Sequence, residues 1–245
     1  MLVHYKLWNI LKNADKDNSI KAIILDINSP GGTVVASKEI ADAVGKTKKP
    51  VVALIREVGA SGAYWVASAS DKIVADPLSM TGSIGVSGSY LEFSDLMDEY
   101  GITYQEFKGG TFKEVGSPYK SLSENEKAMM QSKIDKIYLY FVGSVMINRN
   151  IINKELAKRI STGEVFLGLE AKNYNLIDEF GNRDIAVEIA KGLANISSAE
   201  LVKFETEVSF IDLIGRLSPS WFFQLGRGIG SEIKIDNSNG FNVIA

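Results

Sequence analysis

Ser61 lies among small residues in the segment Gly59–Ala63, which joins an apolar run of the chain to a short apolar helix. At such a junction a serine hydroxyl is exposed beside backbone N–H groups that no helical carbonyl satisfies. The segment is similar to the G-x-S-x-G nucleophile pattern, but Ala63 replaces the last glycine, and that mechanism needs a histidine later in the chain. The residues themselves leave two interpretations open: a nucleophilic serine, or a turn of small residues that permits close helix packing.

The chain contains one histidine, His4, and no cysteine among its 245 residues. Cysteine nucleophiles, disulfides and thiolate metal sites are therefore excluded, and a zinc site would need three carboxylates beside one imidazole. A Ser-His-Asp hydrolase would have to draw its imidazole from the fourth residue of the chain. We predict no metal and no cofactor, and we expect carboxylates, lysine or tyrosine to carry proton transfer.

A glycine-rich segment, Lys108–Pro118 (KGGTFKEVGSP), supplies two lysines, Lys108 and Lys113. A lysine whose ammonium group is desolvated loses its charge more readily and can act as a general base. Most lysines in loops are solvated, so the composition of this segment does not by itself decide between a base and a surface charge.

The same region matches the S-x-x-K spacing of penicillin-binding proteins at Ser117 and Lys120. That spacing works when serine and lysine share one face of a helix. Pro118, directly after Ser117 and close to Gly116, argues against a helix here. No S-D-N or K-T-G companion motif occurs, so this alternative is disfavoured.

A second glycine turn, Asn28–Gly32 (NSPGG), lies where a predicted strand passes into a helix. Its two glycines would let the backbone approach a ligand, and N–H groups at the start of a helix can hold a developing oxyanion. A tight turn with a helix cap explains the same residues, so both interpretations stay open.

The elements that must position these residues follow an α/β pattern. Apolar runs at Ala22–Ile27 and Val51–Ile55 indicate buried strands, and each passes through a glycine turn into a helix. This alternation favours a mainly parallel sheet. Further strands are predicted at Lys72–Ala75, Ile84–Val86, Ile102–Phe107 and Leu201–Phe204. Further helices are predicted at Leu2–Leu11, Val34–Lys46, Tyr64–Ala69, Leu91–Tyr100, from the capping box Ser123/Glu126 to Asn148, and at Lys154–Ile160, Leu169–Tyr174, Arg183–Leu193 and Phe210–Leu217.

Charge and hydropathy exclude two further classes. A net charge of −3, with 27 basic and 30 acidic residues, provides no polycationic field, so nucleic acid is not expected as a partner. The longest apolar stretch, Ile137–Ile147, has eleven residues, about half of the ~20 that a membrane span needs. We interpret it as a buried or subunit-facing part of a helix.

Four motifs follow one another in a fixed order, ahead of a long helix and an N-L-I-D-x-x-G segment at Asn175–Gly181. They are Ser29–Gly32 (SPGG), Gly59–Trp65 (GASGAYW), Thr81–Val86 (TGSIGV) and Lys108–Pro118 (KGGTFKEVGSP). This order resembles the signal peptide peptidase A (SppA) family of serine peptidases, and the resemblance covers about residues 20–193.

The resemblance implies an α/β fold of the ClpP/crotonase type: a spiral of ββα units in a single domain with a helical C-terminal part. It also implies a Ser/Lys dyad, with Ser61 as the nucleophile and Lys113 as the general base. Ser83 would hydrogen-bond the lysine amine and orient it, and the N–H groups of Gly32 and Gly62 would form the oxyanion hole. Such a lysine must be neutral, so we expect Lys113 in apolar surroundings that exclude carboxylates.

The function that the resemblance implies is a serine endopeptidase that hydrolyses signal-peptide remnants and other apolar peptides at the membrane and assembles as a homo-oligomer. Family members usually begin with a membrane anchor. We therefore expect this chain to lack its anchor, to be soluble as it stands, and to act outside the cytoplasm. We expect a peptidase domain over residues 1–218 and a flexible tail over residues 219–245.

One alternative of a different class remains open. A crotonase-type fold could handle acyl-CoA thioesters or act as an assembly scaffold without cleaving peptides. A hydratase of this kind would need an acid/base carboxylate near the oxyanion hole, whereas the peptidase needs Lys113 close to Ser61.

Overall fold

The computed structural model describes residues 2–204, with side chains described from Tyr5 onward. Residues up to Val202 form one compact unit. The predicted helix at Phe210–Leu217, the proposed boundary at 218/219 and the predicted tail lie outside the described residues. The helices are α1 (Leu2–Lys16), α2 (Val34–Lys46), α3 (Gly62–Ser68), α4 (Ser94–Glu99), α5 (Glu124–Asn148), α6 (Lys154–Ile160), α7 (Gly168–Asn173) and α8 (Arg183–Ala194). The strands are β1 (Ile23–Ser29), β2 (Val51–Ala60), β3 (Lys72–Ala75), β4 (Met80–Gly82), β5 (Val165–Leu167) and β6 (Glu179–Phe180).

The strand β2 organises the sheet because it changes neighbours along its length. Its first half lies between β1 and β3, with Ile24 and Lys72 paired to Val52. Its second half pairs with β4, where Val58 is opposite Met80. All three pairings are parallel, which confirms the predicted parallel core. The first five residues of β2 are all buried, as expected of a strand covered on both faces.

Helix α3 is separated from β2 by the single residue Ser61 and lies inside the protein, with all seven of its residues buried. Trp65 of α3 stacks on Phe141 of α5, with ring centroids 4.5 Å apart, and such a pair adds about 1 kcal/mol to the burial of the two rings. Tyr64 donates its hydroxyl to the carbonyl oxygen of Leu176 at 2.8 Å. These contacts hold α3 firmly, and with it the turn that precedes it.

Helix α5 begins with the predicted capping box. The hydroxyl of Ser123 accepts a hydrogen bond from the amide of Glu126, and the carboxylate of Glu126 accepts one from the amide of Ser123. Phe141 and Val145 are buried, whereas Ile147 is exposed. Among residues 2–204, no helix combines the length and apolarity that a membrane crossing requires.

Three strand predictions were wrong. The chain at 84–86 has no regular structure, because Gly82 and Ser83 have positive φ angles of 81° and 50° and turn the backbone out of the sheet directly after β4. The segments 102–107 and 201–204 also lack regular structure. Phe107 is 93% exposed, so the apolar residues of 102–107 find no sheet to pack against in the part of the chain that the structure describes. The short strands β4, β5 and β6 were not predicted.

Candidate active site

A cleft of about 590 Å³ opens where the turns after β1, β2 and β4 meet. The cleft is lined by four of the five residues that the sequence analysis selected: Gly32, Ser61, Gly62 and Ser83. These residues come from three separate motifs, so the fold brings together positions that the sequence places up to 51 residues apart. The fifth residue, Lys113, does not line the cleft.

Ser61 occupies the turn between β2 and α3 in a strained conformation. Its φ of 52° and ψ of −125° are rarely adopted by a residue other than glycine. The amide of Ser61 donates a 2.8 Å hydrogen bond to the carbonyl oxygen of Gly82, and its carbonyl oxygen accepts from the amide of Trp65. Within residues 2–204, its hydroxyl forms no hydrogen bond. A strained backbone at a serine whose hydroxyl is unbonded is typical of turns that carry a catalytic residue.

The turn that contains Gly31 and Gly32 packs against the backbone of the Ser61 turn. Gly31 has a φ of +120°, and a Cβ atom placed on it would lie 2.9 Å from the amide nitrogen of Gly62 and 3.0 Å from Cβ of Ser61. A Cβ on Gly62 would lie 3.2 Å from the amide nitrogen of Gly32. The two backbones can approach this closely only because these positions are glycine.

The close approach places two N–H groups side by side at the cleft. In the part of the chain that the structure describes, the amides of Gly32 and Gly62 donate no hydrogen bond. Both residues line the cleft beside Ser61. Fixed backbone donors of this kind can stabilise a carbonyl oxygen that becomes negatively charged.

Ser83 reaches the cleft from the end of β4. Its amide donates a 2.7 Å hydrogen bond to the carbonyl oxygen of Glu164, just before β5. A Cβ on the preceding residue, Gly82, would lie 2.7 Å from the ring of Phe166. The hydroxyl of Ser83 has no hydrogen-bond partner within residues 2–204, so it is available to a group that enters the cleft.

The lining of the cleft contains no aspartate, glutamate, lysine, arginine or histidine among the described residues. Its one titratable side chain, Tyr138, donates its hydroxyl to the carbonyl oxygen of Ser161 at 2.6 Å. The cleft therefore offers a serine and hydrogen-bond donors, but a charged or basic group has to come from elsewhere.

Lys113 lies in the series of turns after residue 108, and its side chain is exposed. Its amide donates to the carbonyl oxygen of Gly110 at 3.2 Å. The apolar surroundings that we expected for this lysine are not found within residues 2–204.

The alternative pair Ser117 and Lys120 is poorly suited to base catalysis. Nζ of Lys120 lies 3.3 Å from Oε1 of Glu126 and 3.6 Å from Oε1 of Glu106. Burial acts to lower the pKa of Lys120, but its interactions with Lys108, Glu126 and Glu106 together outweigh burial and hold the pKa above its ordinary value. A lysine that keeps its proton cannot take one from Ser117, which agrees with the doubt that Pro118 raised.

The N-L-I-D-x-x-G motif has a structural role through Asp178. Its carboxylate accepts a 2.8 Å hydrogen bond from Nη1 of Arg149 at the end of α5 and another of 2.8 Å from the amide of Ile73 in β3. Burial alone would raise the pKa of Asp178, but Arg149, the Ile73 amide and Lys72 together hold it below its ordinary value. The motif thus ties α5 to the sheet and adds no group to the cleft.

Sequence reasoning missed part of the lining. Ser37 of α2 and the segment 161–163 face the cleft. Ser37 is a polar residue on the inward face of α2, where Ala41 and Val44 are also buried, and this break in the apolar face is the signal that could have indicated it. Residues 161–163 carry no comparable pattern, because only the pairing of β4 with β5 brings them near Ser83.

The chain is similar in sequence to several known peptidases. The model of peptidase family S49 matches residues 43–197, and the model of Clp protease matches residues 4–80. The chain is 37% identical over 225 residues to a candidate protease of Methanocaldococcus jannaschii, covering 91% of this chain and 71% of that protein. It is 31% identical to a candidate signal peptide peptidase SppA of Enterococcus faecium, covering 84% and 60%. For protease 4 of Salmonella typhi the identity is 32%, covering 83% of this chain and 33% of that protein.

The chain is also similar to solved structures. A membrane-bound stomatin-specific protease, 1510-N, superposes with a TM-score of 0.52 at 17% identity, covering 76% of each chain. ClpP1 of Listeria monocytogenes superposes with a TM-score of 0.52 at 16% identity, covering 75% of this chain and 87% of that one. The sheet and its helices therefore have the expected ClpP/crotonase-like fold, and the chain belongs to peptidase family S49, the SppA and protease 4 family.

Proposed function

We propose that this chain is a serine endopeptidase in which Ser61 is the nucleophile and Lys113 the general base. The observation that carries the proposal is the position of Ser61. It is a strained serine at the end of β2, and beside it lie the N–H groups of Gly32 and Gly62, which donate no hydrogen bond within the described residues. Membership of family S49 supports a serine peptidase. The assignment of Lys113 depends on the match of its segment to the family motif.

In this mechanism Oγ of Ser61 attacks the carbonyl carbon of the peptide while the neutral amine of Lys113 takes the hydroxyl proton. The carbonyl oxygen becomes an oxyanion that accepts hydrogen bonds from Gly32 and Gly62. The C–N bond then breaks, and the lysine ammonium returns the proton to the leaving amine. Water, deprotonated by the same lysine, hydrolyses the ester on Ser61. Ser83 accepts or donates a hydrogen bond at the lysine amine and orients it.

The base must approach from outside the cleft, because no ionisable side chain other than Tyr138 lines it in the described residues. Phe112, next to Lys113 in the chain, and Phe107 have exposed apolar side chains. Clustered exposed apolar side chains are typical of an interface with a partner. We propose that the chain assembles as a homo-oligomer, and we expect Lys113 to reach the Ser61 of a neighbouring copy, where the interface would exclude water from it.

The substrates that we propose are apolar peptides, including remnants of signal peptides. Val34, Trp65, Val86 and Phe141 give the cleft an apolar wall, which suits small or apolar side chains next to the cleaved bond. The name of the Enterococcus faecium relative, signal peptide peptidase SppA, points to the same substrate class. We propose that the protein acts at a membrane, with its catalytic domain outside the cytoplasm and its membrane attachment through a segment other than the described helices.

The proposal is tested by reaction with a fluorophosphonate probe, followed by mass spectrometry of the labelled peptide. We expect labelling at Ser61 in the wild-type protein and none in Ser61→Ala. Ser117→Ala is the matched control, because Ser117 lies in the Lys113 segment and is predicted not to react. Labelling that persists in Ser61→Ala, or that maps to Ser117, would overturn the assignment of the nucleophile.

The acyl-CoA alternative is disfavoured by the lining of the cleft. A hydratase needs a carboxylate near the oxyanion hole, and the described lining has none. Binding of coenzyme A thioesters without fluorophosphonate labelling would favour that alternative over the peptidase.

A further inference from the structure

Ser37 presents a hydroxyl to the same cleft from α2. Its side chain is 7% exposed, and it lines the cleft together with Ser61. A Cβ atom on Gly62 would lie 2.2 Å from Oγ of Ser37, and one on Gly32 would lie 3.9 Å from the same oxygen. The hydroxyl therefore lies beside both glycines whose N–H groups we assign to the oxyanion hole.

The hydroxyl of Ser37 is not used by the fold. Serines inside helices commonly donate to the carbonyl oxygen four residues earlier, but within residues 2–204 Oγ of Ser37 forms no hydrogen bond. Its amide makes the ordinary helical bond to the carbonyl oxygen of Thr33 at 3.0 Å. Among the described residues, fully buried side-chain oxygens without a partner occur only at Ser70 and Glu106, so the unpartnered hydroxyl of Ser37 is open to the cleft that it lines.

Ser37 lies on the inward face of α2. The buried residues of this helix are Ser37, Ala41 and Val44, which follow one another at helical spacing. Ala41 and Val44 are apolar and face the core, whereas the serine is at the end of the face that meets the cleft. A hydroxyl at that position can bond to a ligand or water that enters the cleft.

We propose that Ser37 is a third donor of the oxyanion hole. Its hydroxyl donates a hydrogen bond to the substrate carbonyl oxygen beside the N–H groups of Gly32 and Gly62. This bond strengthens as the oxygen gains negative charge, so it acts on the transition state more than on the bound substrate. The inference rests on the proposed peptidase function, because it needs a carbonyl under attack by Ser61. On this assignment Ser37 is a catalytic residue.

The test is the steady-state cleavage of an apolar reporter peptide by Ser37→Ala. We expect kcat to fall about 10- to 100-fold, at or below the 10²- to 10³-fold loss seen when a principal oxyanion donor is removed. KM should change by less than about 3-fold, because substrate binding does not depend on this bond. Affinity for a peptide boronate, whose tetrahedral adduct places an oxygen in the oxyanion hole, should fall in parallel with kcat/KM.

Ser70→Ala is the matched control. Ser70 is also 7% exposed and its hydroxyl also lacks a partner among the described residues, but it does not line the cleft. Ser37→Ala removes a hydroxyl that is open to the cleft, Ser70→Ala removes a fully buried one, and neither removes a hydrogen bond within the described residues, so the midpoint of thermal unfolding should not fall in either variant. Only Ser37→Ala should lose activity.

Two results would overturn the inference. The first is a kcat of Ser37→Ala within about 2-fold of wild type. The second is a loss of kcat accompanied by a fall in the unfolding midpoint and by unchanged boronate affinity, which would mean that Ser37 acts only in packing. If the wild-type protein neither cleaves peptides nor labels at Ser61, the proposed function fails. If it does both and Ser37→Ala stays active, only this inference fails.

Discussion

The amide of Ser61 donates a 2.8 Å hydrogen bond to the carbonyl oxygen of Gly82. This bond joins the end of β2 to the turn that carries Ser83, and it holds Ser61 and Ser83, two of the residues that we assign to catalysis, in a fixed relation. It depends on the second half of β2 pairing with β4. The strand that organises the sheet therefore also sets the geometry of the site.

Gly31→Ala should abolish activity and destabilise the fold. The added Cβ would lie 2.9 Å from the amide nitrogen of Gly62 and 3.1 Å from the carbonyl oxygen of Ala60, in a backbone conformation with φ of +120°. We expect a loss of about 1–3 kcal/mol in the free energy of unfolding and at least a 100-fold loss of kcat. Urea unfolding and peptide cleavage measure the two effects.

Gly45→Ala is the control for that substitution. Gly45 lies inside α2, and a Cβ there would meet no atom within 4 Å. Alanine should stabilise the helix by about 0.5–1 kcal/mol and leave kcat unchanged. Normal activity in Gly31→Ala would mean that the approach of the two turns is not needed for catalysis.

The substitutions Gly62→Ala and Ser37→Gly should be strongly coupled in their effects on the free energy of unfolding. The alanine methyl would lie 2.2 Å from Oγ and 3.0 Å from Cβ of Ser37. The single variant should therefore lose stability, and the added change Ser37→Gly should restore at least half of the loss, since it removes both atoms. A double-mutant cycle by urea unfolding should give a coupling free energy of about 1–3 kcal/mol. Additive effects of the two substitutions would contradict the contact.

Asp178→Asn should weaken the fold in a pH-dependent way. The pKa of Asp178 is held below its ordinary value in the folded chain, so its contribution is present above the pKa of the unfolded chain, near 4, and is lost as the pH falls through the folded value. We expect a destabilisation of about 3 kcal/mol at pH 7, typical of breaking a buried ion pair, and a smaller difference at pH 3.

The control for this substitution is Asp184→Asn, at the exposed start of α8. It should change the free energy of unfolding by no more than about 0.5 kcal/mol. If the difference in the free energy of unfolding between Asp178→Asn and wild type stays constant from pH 7 to pH 3, the ion pair with Arg149 does not account for the loss of stability.

Mixing two inactive variants tests whether the dyad is shared between copies. Ser61→Ala keeps Lys113, and Lys113→Ala keeps Ser61. If Lys113 serves a neighbouring copy, a 1:1 mixture reassembled from dissociated subunits should regain activity at about a quarter of its sites. No recovery, in mixtures shown to contain both chains in one assembly, would place the lysine in the same chain as its serine.

Local patterns predicted the elements whose signals lie within a few consecutive residues. The apolar run Val51–Ile55 gave β2, and Ser123 with Glu126 gave the start of α5, because a buried strand and a capping box are each readable within a few residues. The glycine turns at Asn28–Gly32 and Gly59–Ala63 were also predicted. They meet at the cleft, as the resemblance to the SppA family implied.

The rest depends on contacts between distant segments. The strands β5 and β6 have three and two residues, too few to show an alternation of apolar and polar side chains. Segment 102–107 has the composition of a strand but no neighbouring strand to pair with among residues 2–204. The role of Asp178 could not be read from its motif, since its partner Arg149 is 29 residues away.

The most direct test of the central claim is peptide cleavage by Lys113→Ala beside Lys108→Ala, two lysines of one glycine-rich segment. We predict that Lys113→Ala loses at least about 1000-fold in kcat, because Ser61 then has no base. Lys108→Ala, whose side chain is paired with Glu106 at 2.9 Å, should stay within about 3-fold of wild type. Both proteins should unfold at the wild-type midpoint. Full cleavage by a folded Lys113→Ala protein would contradict the Ser/Lys mechanism.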